Sequence, residues 1–417
     1  MIGNSPALAE ALGRFEGLYP ETIELSLGRV LNALELLGRP QDRLPPVIHV
    51  AGTNGKGSTC AFMRAMMEVA GLKVHVFTSP HLVRFNERIR LAGEIVDDAR
   101  LIDWLERVYR AIQGHEITQF EATTATALLA FSEVSADVLI LEVGLGGSYD
   151  ATNVIDQPAL SVITPVDFDH KAFLGSDLRK IAGEKAGIIK PGCPALTAIQ
   201  RKVCDEVIAK RAEAVGAPLY RLKAHFIDAM PEDLGLVGEH QRANAALAAM
   251  AVQLFGNSTR IDQAAIFEGA RKASWPARMQ KLGPGPLTAL VPDQQVWLDG
   301  GHNPHAARAI ARQLQALPGR TALVSAMLAS KDSTGFFMPF RQIRPDVFTL
   351  PNAPGHQGAE PQALAEAATT AGLKATACDS LEAALQAAAA TGVDRILICG
   401  SLYLAGDVLA RNEELPV

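Results

Sequence analysis

The sequence lacks the features that mark a disulfide-rich, membrane-spanning or strongly basic protein. Its five cysteines are an odd number and include no CxxC pair. We therefore expect free thiols in a reducing cytoplasm, with neither a disulfide framework nor a structural zinc site. The first residues carry no basic stretch followed by an apolar run, which predicts no signal peptide. No stretch approaches the roughly 18 uninterrupted apolar residues of a membrane span.

The charge of the chain also excludes classes of partner. Its formal net charge is -6, which argues against a non-specific nucleic-acid binder, because such a surface carries a basic excess. A chain of 417 residues predicts two or three domains. We expect a monomer with small-molecule partners, and no nucleic acid or membrane.

Short apolar segments alternate with helical ones. The predicted strands are VIHVAG (47–52), KVHVFTSP (73–80), DVLILEVG (137–144), ALSVITPV (159–166), PALTAI (194–199), QVWLDG (295–300), TALVSAML (321–328), DVFTLP (346–351) and RILICG (395–400). This alternation predicts an α/β fold with mostly parallel sheets covered on both faces. Dense proline and glycine at 274–294 predict a large N-terminal domain over 1–282 and a smaller open α/β domain over 283–417.

The strongest local signal is GTNGKGS (52–58), between a predicted strand and a helix predicted over 58–70. Glycines let backbone N–H groups turn inward around an anion, and a helix N-terminus adds a positive dipole. Lys56 is placed to reach the β- and γ-phosphates, and Ser58 to help hold a metal or a phosphate. The spacing departs from GxxxxGK[ST], because Val50 replaces the first glycine and Gly57 follows the lysine. A plain glycine turn is the alternative.

Two further predicted strands are followed by metal-ligating side chain types. Glu142 ends one strand, and Asp167-Phe168-Asp169-His170 follows the next. Ligands bind beyond the carboxyl ends of such strands, and Mg²⁺ prefers hard oxygen ligands. The alternatives are a carboxylate that only caps the next turn, and a structural histidine.

Two other polar segments are ambiguous by themselves. Glu184 and Lys185 are most simply a solvated pair on a helix. Asp299, at the end of a strand, and His302, three residues later, either face the phosphate loop or belong to a tight turn that starts a helix.

Seven motifs in order give the chain a family resemblance. They are GTNGKGS (52–58), TSPHLVRFNERI (78–89), LEVGLGG (141–147), DATN (150–153), DH (169–170), EKAGI (184–188) and GHNPHA (301–306). With them the chain resembles the folylpolyglutamate synthase and dihydrofolate synthase family, within the wider Mur ligases. The resemblance runs from Thr22 to about Ala410. It implies a large P-loop ATPase domain, a smaller Rossmann-like domain, and ATP in the cleft between them.

The resemblance also implies roles for particular residues. ATP would be bound by Thr53, Asn54, Gly55, Lys56, Gly57, Ser58, Asn244, Arg278, Asp299 and His302. The magnesium ligands would be Ser79, Glu142 and His170, and Lys185 would be carbamylated. Lys56, Lys185 and His170 would be the catalytic residues. The pterin acid would lie near Glu24, Leu25, Ser26, Leu27, Thr118, Gln119, Phe120, Glu121, Tyr149, Asp150 and Ala151.

The implied activity is ATP-dependent addition of L-glutamate to dihydropteroate and to reduced folates, through an acyl phosphate. Two departures stand out: Ser148 replaces the family's usual arginine after LEVGLGG, and Pro276-Ala277-Arg278 replaces PGR. The alternatives are a cell-wall Mur ligase, against which the TSPHLVRFNERI segment argues, and a non-ligase ATP hydrolase or nucleotide switch. An inactive nucleotide-binding module is a further alternative, against which the presence of Lys56, Glu142 and His170 argues.

Overall fold

The first sheet follows from buried apolar strands. A computed structural model describes residues 3–19, 26–169, 175, 177–255, 261–353 and 357–416. In this part of the chain the first sheet has eight strands in the order β4-β3-β2-β5-β1-β6-β7-β8. They are β1 (Val47–Ala51), β2 (Val74–Phe77), β3 (Ile89–Leu91), β4 (Glu94–Ile95), β5 (Val138–Glu142), β6 (Leu160–Ile163), β7 (Ala195–Thr197) and β8 (Leu219–Arg221). All pairings are parallel except those of β3 with β2 and β4.

Helices cover both faces of this sheet. They are α1 (Pro6–Gly13), α2 (Gly28–Leu36), α3 (Lys56–Val69), α4 (Asp98–Ala111), α5 (Gln119–Glu133), α6 (Leu178–Ala186), α7 (Lys202–Ala214), α8 (Ala224–Asp228), α9 (Glu239–Leu254) and α10 (Gln263–Lys272). Val47 of β1 packs on the α1, α2, α4 and α5 side, whereas Ile48 and Val50 pack on the α3, α9 and α10 side. Successive strand residues point to opposite faces, which is why the predicted strands read as continuous apolar runs.

The second sheet is smaller and has the order β13-β12-β11-β14-β10-β9 among the described residues. Its strands are β9 (Gln280–Lys281), β10 (Gln295–Leu298), β11 (Thr321–Ser325), β12 (Val347–Thr349), β13 (Ala375–Ala377) and β14 (Arg395–Cys399). Its helices are α11 (Pro304–Ala316), α12 (Ser333–Phe337), α13 (Pro361–Thr370), α14 (Leu381–Ala389) and α15 (Leu402–Arg411). Only β9 pairs antiparallel, so the predicted α/β class with mostly parallel sheets is confirmed.

Some predicted boundaries differ from the observed ones. The helix after the glycine loop begins at Lys56, two residues before its predicted start, because Gly55 adopts the left-handed conformation that ends the loop. The second sheet already includes Gln280 and Lys281, which the sequence prediction placed in the domain over 1–282. The short strands β3, β4, β8, β9 and β13 carry too little periodicity to be predicted.

The two sheets present their strand ends to one cavity. Its volume is about 1180 Å³, and its walls include Lys56, Ser79 and Glu142 from the first sheet's side and Arg278, His302 and Tyr403 from the second's. All five cysteines are free thiols, as predicted. Within the described ranges, no helix is both long and apolar enough to cross a membrane.

Candidate active site

The glycine loop is an anion cradle at the start of α3. Gly55 has φ 86°, and a Cβ there would lie 2.6 Å from Asn244 Oδ1, so the position requires glycine. A Cβ on Gly57 would lie 2.8 Å from the Trp275 ring. The first-turn N–H groups of α3, including that of Ser58, have no earlier carbonyl within the helix to bond, which is the arrangement that binds anions at helix N-termini.

Hydrogen bonds connect the glycine loop to the segment that directly follows β6. The Thr53 N–H donates to the Pro165 carbonyl at 3.0 Å, and Thr53 Oγ1 donates to the Asp167 carbonyl at 2.9 Å. Thr164 Oγ1 donates to the Asn54 carbonyl at 2.9 Å. These hydrogen bonds fix the shape of the loop, which lowers the entropy cost of binding a ligand.

Lys56, Glu142 and Ser79 form the centre of the cavity wall. Lys56 Nζ lies 4.0 Å from Glu142 Oε1, and the Ser79 N–H donates to Glu142 Oε2 at 3.4 Å. Burial raises the pKa of Glu142 to about 7, against the opposing effect of the Lys56 charge. Ser79 Oγ is buried and has no hydrogen-bond partner among the described residues. A divalent cation fits this pair of oxygen donors, because Mg²⁺ binds through one or two protein oxygens and waters.

Lys185 is not the solvated residue that its local sequence suggests. It lies on α6, and only 4% of it is exposed. Burial lowers the pKa of its ammonium group to about 7, and the Lys56 charge adds to this effect. The interpretation of Lys185 as half of a solvated ion pair is therefore wrong. The lowered pKa increases the neutral fraction of the amine, and only the neutral form is nucleophilic.

On the second sheet, Asp299 and His302 have different surroundings. The Asp299 carboxylate accepts the N–H groups of Met279 at 2.9 Å and Gly301 at 2.7 Å, so it connects the turn after β10 to the residue that precedes β9. His302 Nδ1 bonds the Gly300 carbonyl at 2.9 Å, and its ring lines the cavity. Arg278 also lines the cavity, and its Nη1 donates to the Ala277 carbonyl at 2.9 Å. The two alternatives for this segment therefore hold together: Asp299 organises a tight turn, and His302 lines the cavity that contains the phosphate loop.

Asn303 joins the glycine loop to the second domain. Its Nδ2 donates to Asn54 Oδ1 and to Asp169 Oδ2, both at 3.1 Å. Its Oδ1 caps α11 by accepting the Ala306 N–H at 2.9 Å. Only 3% of Asn303 is exposed. One side chain therefore links the phosphate loop, the segment after β6 and the start of α11.

Two aspartates extend this contact between the domains. Asp169 Oδ1 accepts from Lys331 Nζ at 2.6 Å, and Asp167 Oδ2 accepts from Arg308 Nη2 at 2.8 Å and Arg201 Nη2 at 3.2 Å. Lys331 and Asp169 are both largely buried, so this ion pair is screened less than a surface pair.

Sequence reasoning did not predict Asn303, Arg308 or Lys331 as site residues. The usable signal for Lys331 was its position beyond the carboxyl end of β11, where α/β sheets bind ligands. For Asn303 the usable signal was its position directly before Pro304, because asparagine often caps a helix that begins with proline.

Asn244, which the family resemblance assigns to ATP binding, lies on α9 against Gly55. It is 5% exposed, and its Nδ2 donates to Gln241 Oε1 at 2.9 Å. This arrangement holds the Asn244 amide beside the glycine loop.

The pterin acid is the substrate that would accept glutamate, and we call it the acceptor. The residues predicted to contact it around the start of α5 mostly support the fold. Thr118 and Glu121 form a reciprocal cap, in which Glu121 Oε2 accepts the Thr118 N–H at 2.8 Å. Arg29 Nε donates to the same oxygen at 3.0 Å. Gln119 is exposed, and the Phe120 ring lines the cavity. Of these four predicted contacts, the structure brings only Phe120 to the cavity wall.

The second predicted acceptor segment lies between β5 and β6. Tyr149 is 52% exposed, whereas Asp150 is buried and accepts the N–H groups of Leu145 at 2.8 Å and Thr152 at 3.0 Å. Ala151 belongs to the hydrophobic core, so its side chain packs against protein.

Ser26 and Leu27 are half-buried just before α2, and Leu27 packs on the core. Glu24, Leu25 and the predicted metal ligand His170 lie outside the described residues.

Comparisons with known proteins agree with the motifs. Residues 50–225 match the Mur ligase middle domain, and 277–402 match the Mur ligase, glutamate ligase domain. The dihydrofolate synthase/folylpolyglutamate synthase of Bacillus subtilis is 36% identical over 338 residues, which cover 74% of this chain and 76% of that protein. The Escherichia coli protein of the same name is 33% identical over 416 residues, covering 96% and 94%.

A solved structure supports the same assignment. A bifunctional folylpolyglutamate synthase/dihydrofolate synthase with Mn, AMPPNP and L-glutamate bound is 32% identical, with a TM-score of 0.82 and coverage of 98% of both chains. The chain therefore belongs to the folylpolyglutamate synthase and dihydrofolate synthase family of Mur ligases.

Proposed function

We propose that the protein is an ATP-dependent ligase that adds L-glutamate to dihydropteroate, forming dihydrofolate, and to reduced folates, forming polyglutamates. The observation that carries this proposal is the shared cavity, in which Lys56 and Glu142 face Arg278 and His302 from the second domain. The relatives named above carry both synthase activities in their names, which supports the same assignment.

The chemistry joins a carboxylate to an amine in two steps. A carboxylate oxygen of the acceptor attacks the γ-phosphorus of ATP and ADP leaves, which forms an acyl phosphate. The amine of glutamate attacks the acyl carbon, phosphate leaves, and the surplus ammonium proton is released, so that an amide remains. Lys56 and the first-turn N–H groups of α3 offset the negative charge on the β- and γ-phosphates. The contacts of Asn303 and Lys331 hold the domains together around the substrates.

We assign Mg²⁺ to the buried oxygens of Ser79 and Glu142, with His170 as the third predicted ligand. Ser79 Oγ supports this assignment, because it is buried and has no hydrogen-bond partner among the described residues. Such a hydroxyl costs free energy that a bound cation would offset. When bound, the ion neutralises charge during phosphoryl transfer.

Carbamylation of Lys185 belongs to the same proposal. The neutral amine attacks CO₂, a C–N bond forms, and one proton is released, so that the side chain becomes a carboxylate. Burial of Lys185 and the neighbouring Lys56 charge support this change, because both favour the neutral amine. The carbamate would then place a negative charge near the Lys56 ammonium group, whereas a protonated Lys185 would be repelled by it.

The deciding experiment is a matched assay with dihydropteroate and with tetrahydrofolate, each with saturating ATP, Mg²⁺ and glutamate. Amide product from both, identified by mass and matched by ADP release, is the expected result. Product from only one acceptor would contradict bifunctionality and leave the ligase assignment standing. ADP release without any acceptor would indicate a hydrolase instead, and failure with both acceptors would favour the cell-wall ligase.

A further inference from the structure

Arg88 is a cavity residue to which the proposed reaction assigns no role. It ends the 3₁₀ turn Phe85–Arg88 in the TSPHLVRFNERI segment, directly before β3. The Thr78 N–H donates to the Arg88 carbonyl at 3.0 Å, which fixes its backbone beside the end of β2. The side chain lines the same cavity as Ser79, Glu142 and Tyr403.

The guanidinium of Arg88 has no carboxylate partner within the described ranges. Its Nε donates to His81 Nδ1 at 2.8 Å, and its Cζ lies 5.4 Å from the centroid of the Phe85 ring. The neighbouring Glu87 carboxylate is already occupied by the N–H groups of Leu82, Val83 and Arg84. Among the described residues, no acceptor bonds Nη1 or Nη2 of Arg88, so its two-pronged end is available to the cavity.

This arrangement favours an anionic ligand. Burial lowers the pKa of Arg88 to about 10, which still leaves it charged at neutral pH. A largely desolvated cation without a hydrogen-bonded counterion costs free energy. The charges of Glu87 and Glu142 offset part of that cost, and an anion in the cavity would offset more. The planar fork of arginine matches a carboxylate with two parallel hydrogen bonds.

The three substrates differ in which anion they bring to Arg88. The phosphates of ATP already have Lys56 and the start of α3. The reacting carboxylate of the acceptor turns into an acyl phosphate, so a lasting bidentate contact to it would oppose turnover. A folate acceptor also carries a carboxylate that does not react, but dihydropteroate lacks it, so that group is not shared by the two reactions. Both carboxylates of glutamate, by contrast, stay unchanged from binding to product. Tyr403 of the second domain lies near Arg88 and lines the same cavity, so both domains border this anion site.

We propose that Arg88 binds a carboxylate of the amino-acid substrate and thereby selects glutamate over neutral amino acids. The inference rests on the proposed function and adds to it the residue that recognises the amine donor. A hydrogen-bonded charged pair of this kind is worth about 10- to 100-fold in affinity.

The test uses Arg88→Gln and Arg88→Lys in the full chain, with Arg84→Gln as the matched control. Arg84 lies in the same segment, and its Nη2 donates to the Pro416 carbonyl instead. We expect Arg88→Gln to raise KM for glutamate about 10- to 100-fold, with KM for ATP changed less than about twofold. Arg88→Lys should recover only part of this loss, and Arg84→Gln should leave KM for glutamate unchanged.

Amides of glutamate identify the contact. The wild type should discriminate against glutamine and against glutamate α-amide, and Arg88→Gln should lose its discrimination against one of the two. Unchanged KM for glutamate in a variant that melts like the wild type would overturn the inference. So would a rise confined to KM for ATP or for the acceptor. If the wild type itself makes no amide from glutamate, the proposed function has failed instead.

Discussion

The nucleotide side of the cavity and the acceptor side are built in different ways. The nucleotide side is one continuous loop at the start of α3, tied to β6 by Thr53 and to the second domain by Asn54. The predicted acceptor contacts come from separate segments, and several of them support the fold, as Glu121 does with Arg29. Substitutions on the nucleotide side should therefore impair every acceptor equally, whereas substitutions on the acceptor side should separate one acceptor from another.

The largest effect should follow Lys56→Ala. This substitution removes the ammonium group that lies 4.0 Å from Glu142 and that we assign to the phosphates. We expect turnover to fall about 100- to 1000-fold or more with either acceptor. Steady-state ADP release checks this, with the exposed Lys202→Ala as control and a thermal melt to verify folding. Near-normal turnover in a folded Lys56→Ala protein would contradict the phosphate-loop assignment.

Lys185 gives the next largest effect. Lys185→Arg stays cationic and cannot form the carbamate, so both activities should fall about 100-fold. In the wild type the amine is protonated below a pKa of about 7, so the carbamate and the activity should decline together as pH falls through 7.

A ¹³C-bicarbonate NMR experiment checks the modification directly. A carbamate signal should appear in the wild type at pH 8 and be absent from Lys185→Arg. Full activity at pH 8 without this signal would argue against carbamylation.

The sequence predicted the local structure of the glycine loop better than that of the segments assigned to the acceptor, for a physical reason. A strand, a glycine turn and a helix start are local, so GTNGKGS carries its own geometry. Lys185 is the opposite case, because α6 packs at Glu184 and Lys185 against Gly147 and Ser148 in the loop after β5, and a local sequence does not reveal that packing. Lys331 and Asn303 became visible only when folding brought the second sheet against the first. The roles of Asp150 and Ala151 as turn and core residues were likewise hidden, since both depend on packing.

Asn303 tests whether the nucleotide side depends on the second domain. Asn303→Asp keeps a good cap for α11 but places a carboxylate beside Asp169, whereas Asn303→Ala loses the cap at a cost of about 1 kcal/mol. We expect Asn303→Asp to be more stable than Asn303→Ala, because it keeps the helix cap. Because the new carboxylate repels Asp169, we expect Asn303→Asp to be the less active of the two, by about 10- to 100-fold with either acceptor.

Paired melts and kinetics on both Asn303 variants check this expectation. Ser380→Ala, which removes the cap of the distant α14, is the stability control and should leave KM for ATP unchanged. If activity followed cap quality alone, the bridge between Asn54, Asn303 and Asp169 would have no role in catalysis.

The smallest effect, and the one that separates the acceptors, should come from Ser148→Arg. Ser148 replaces the family's usual arginine, and both its N–H and its Oγ donate to the Glu184 carbonyl, at 2.9 and 3.3 Å. Gly187 packs directly against Ser148, so a longer side chain must extend away from Gly187. An arginine there adds a long cationic donor for an acceptor carboxylate, which serine cannot supply. We therefore expect KM for one of the two acceptors to fall about three- to tenfold, with KM for ATP unchanged.

Ser148→Ala, which adds no charge, should behave like the wild type and separates the loss of serine from the gain of arginine. Equal changes for dihydropteroate and tetrahydrofolate would mean that this segment does not distinguish acceptors, and the contrast between the two sides of the cavity would then be wrong.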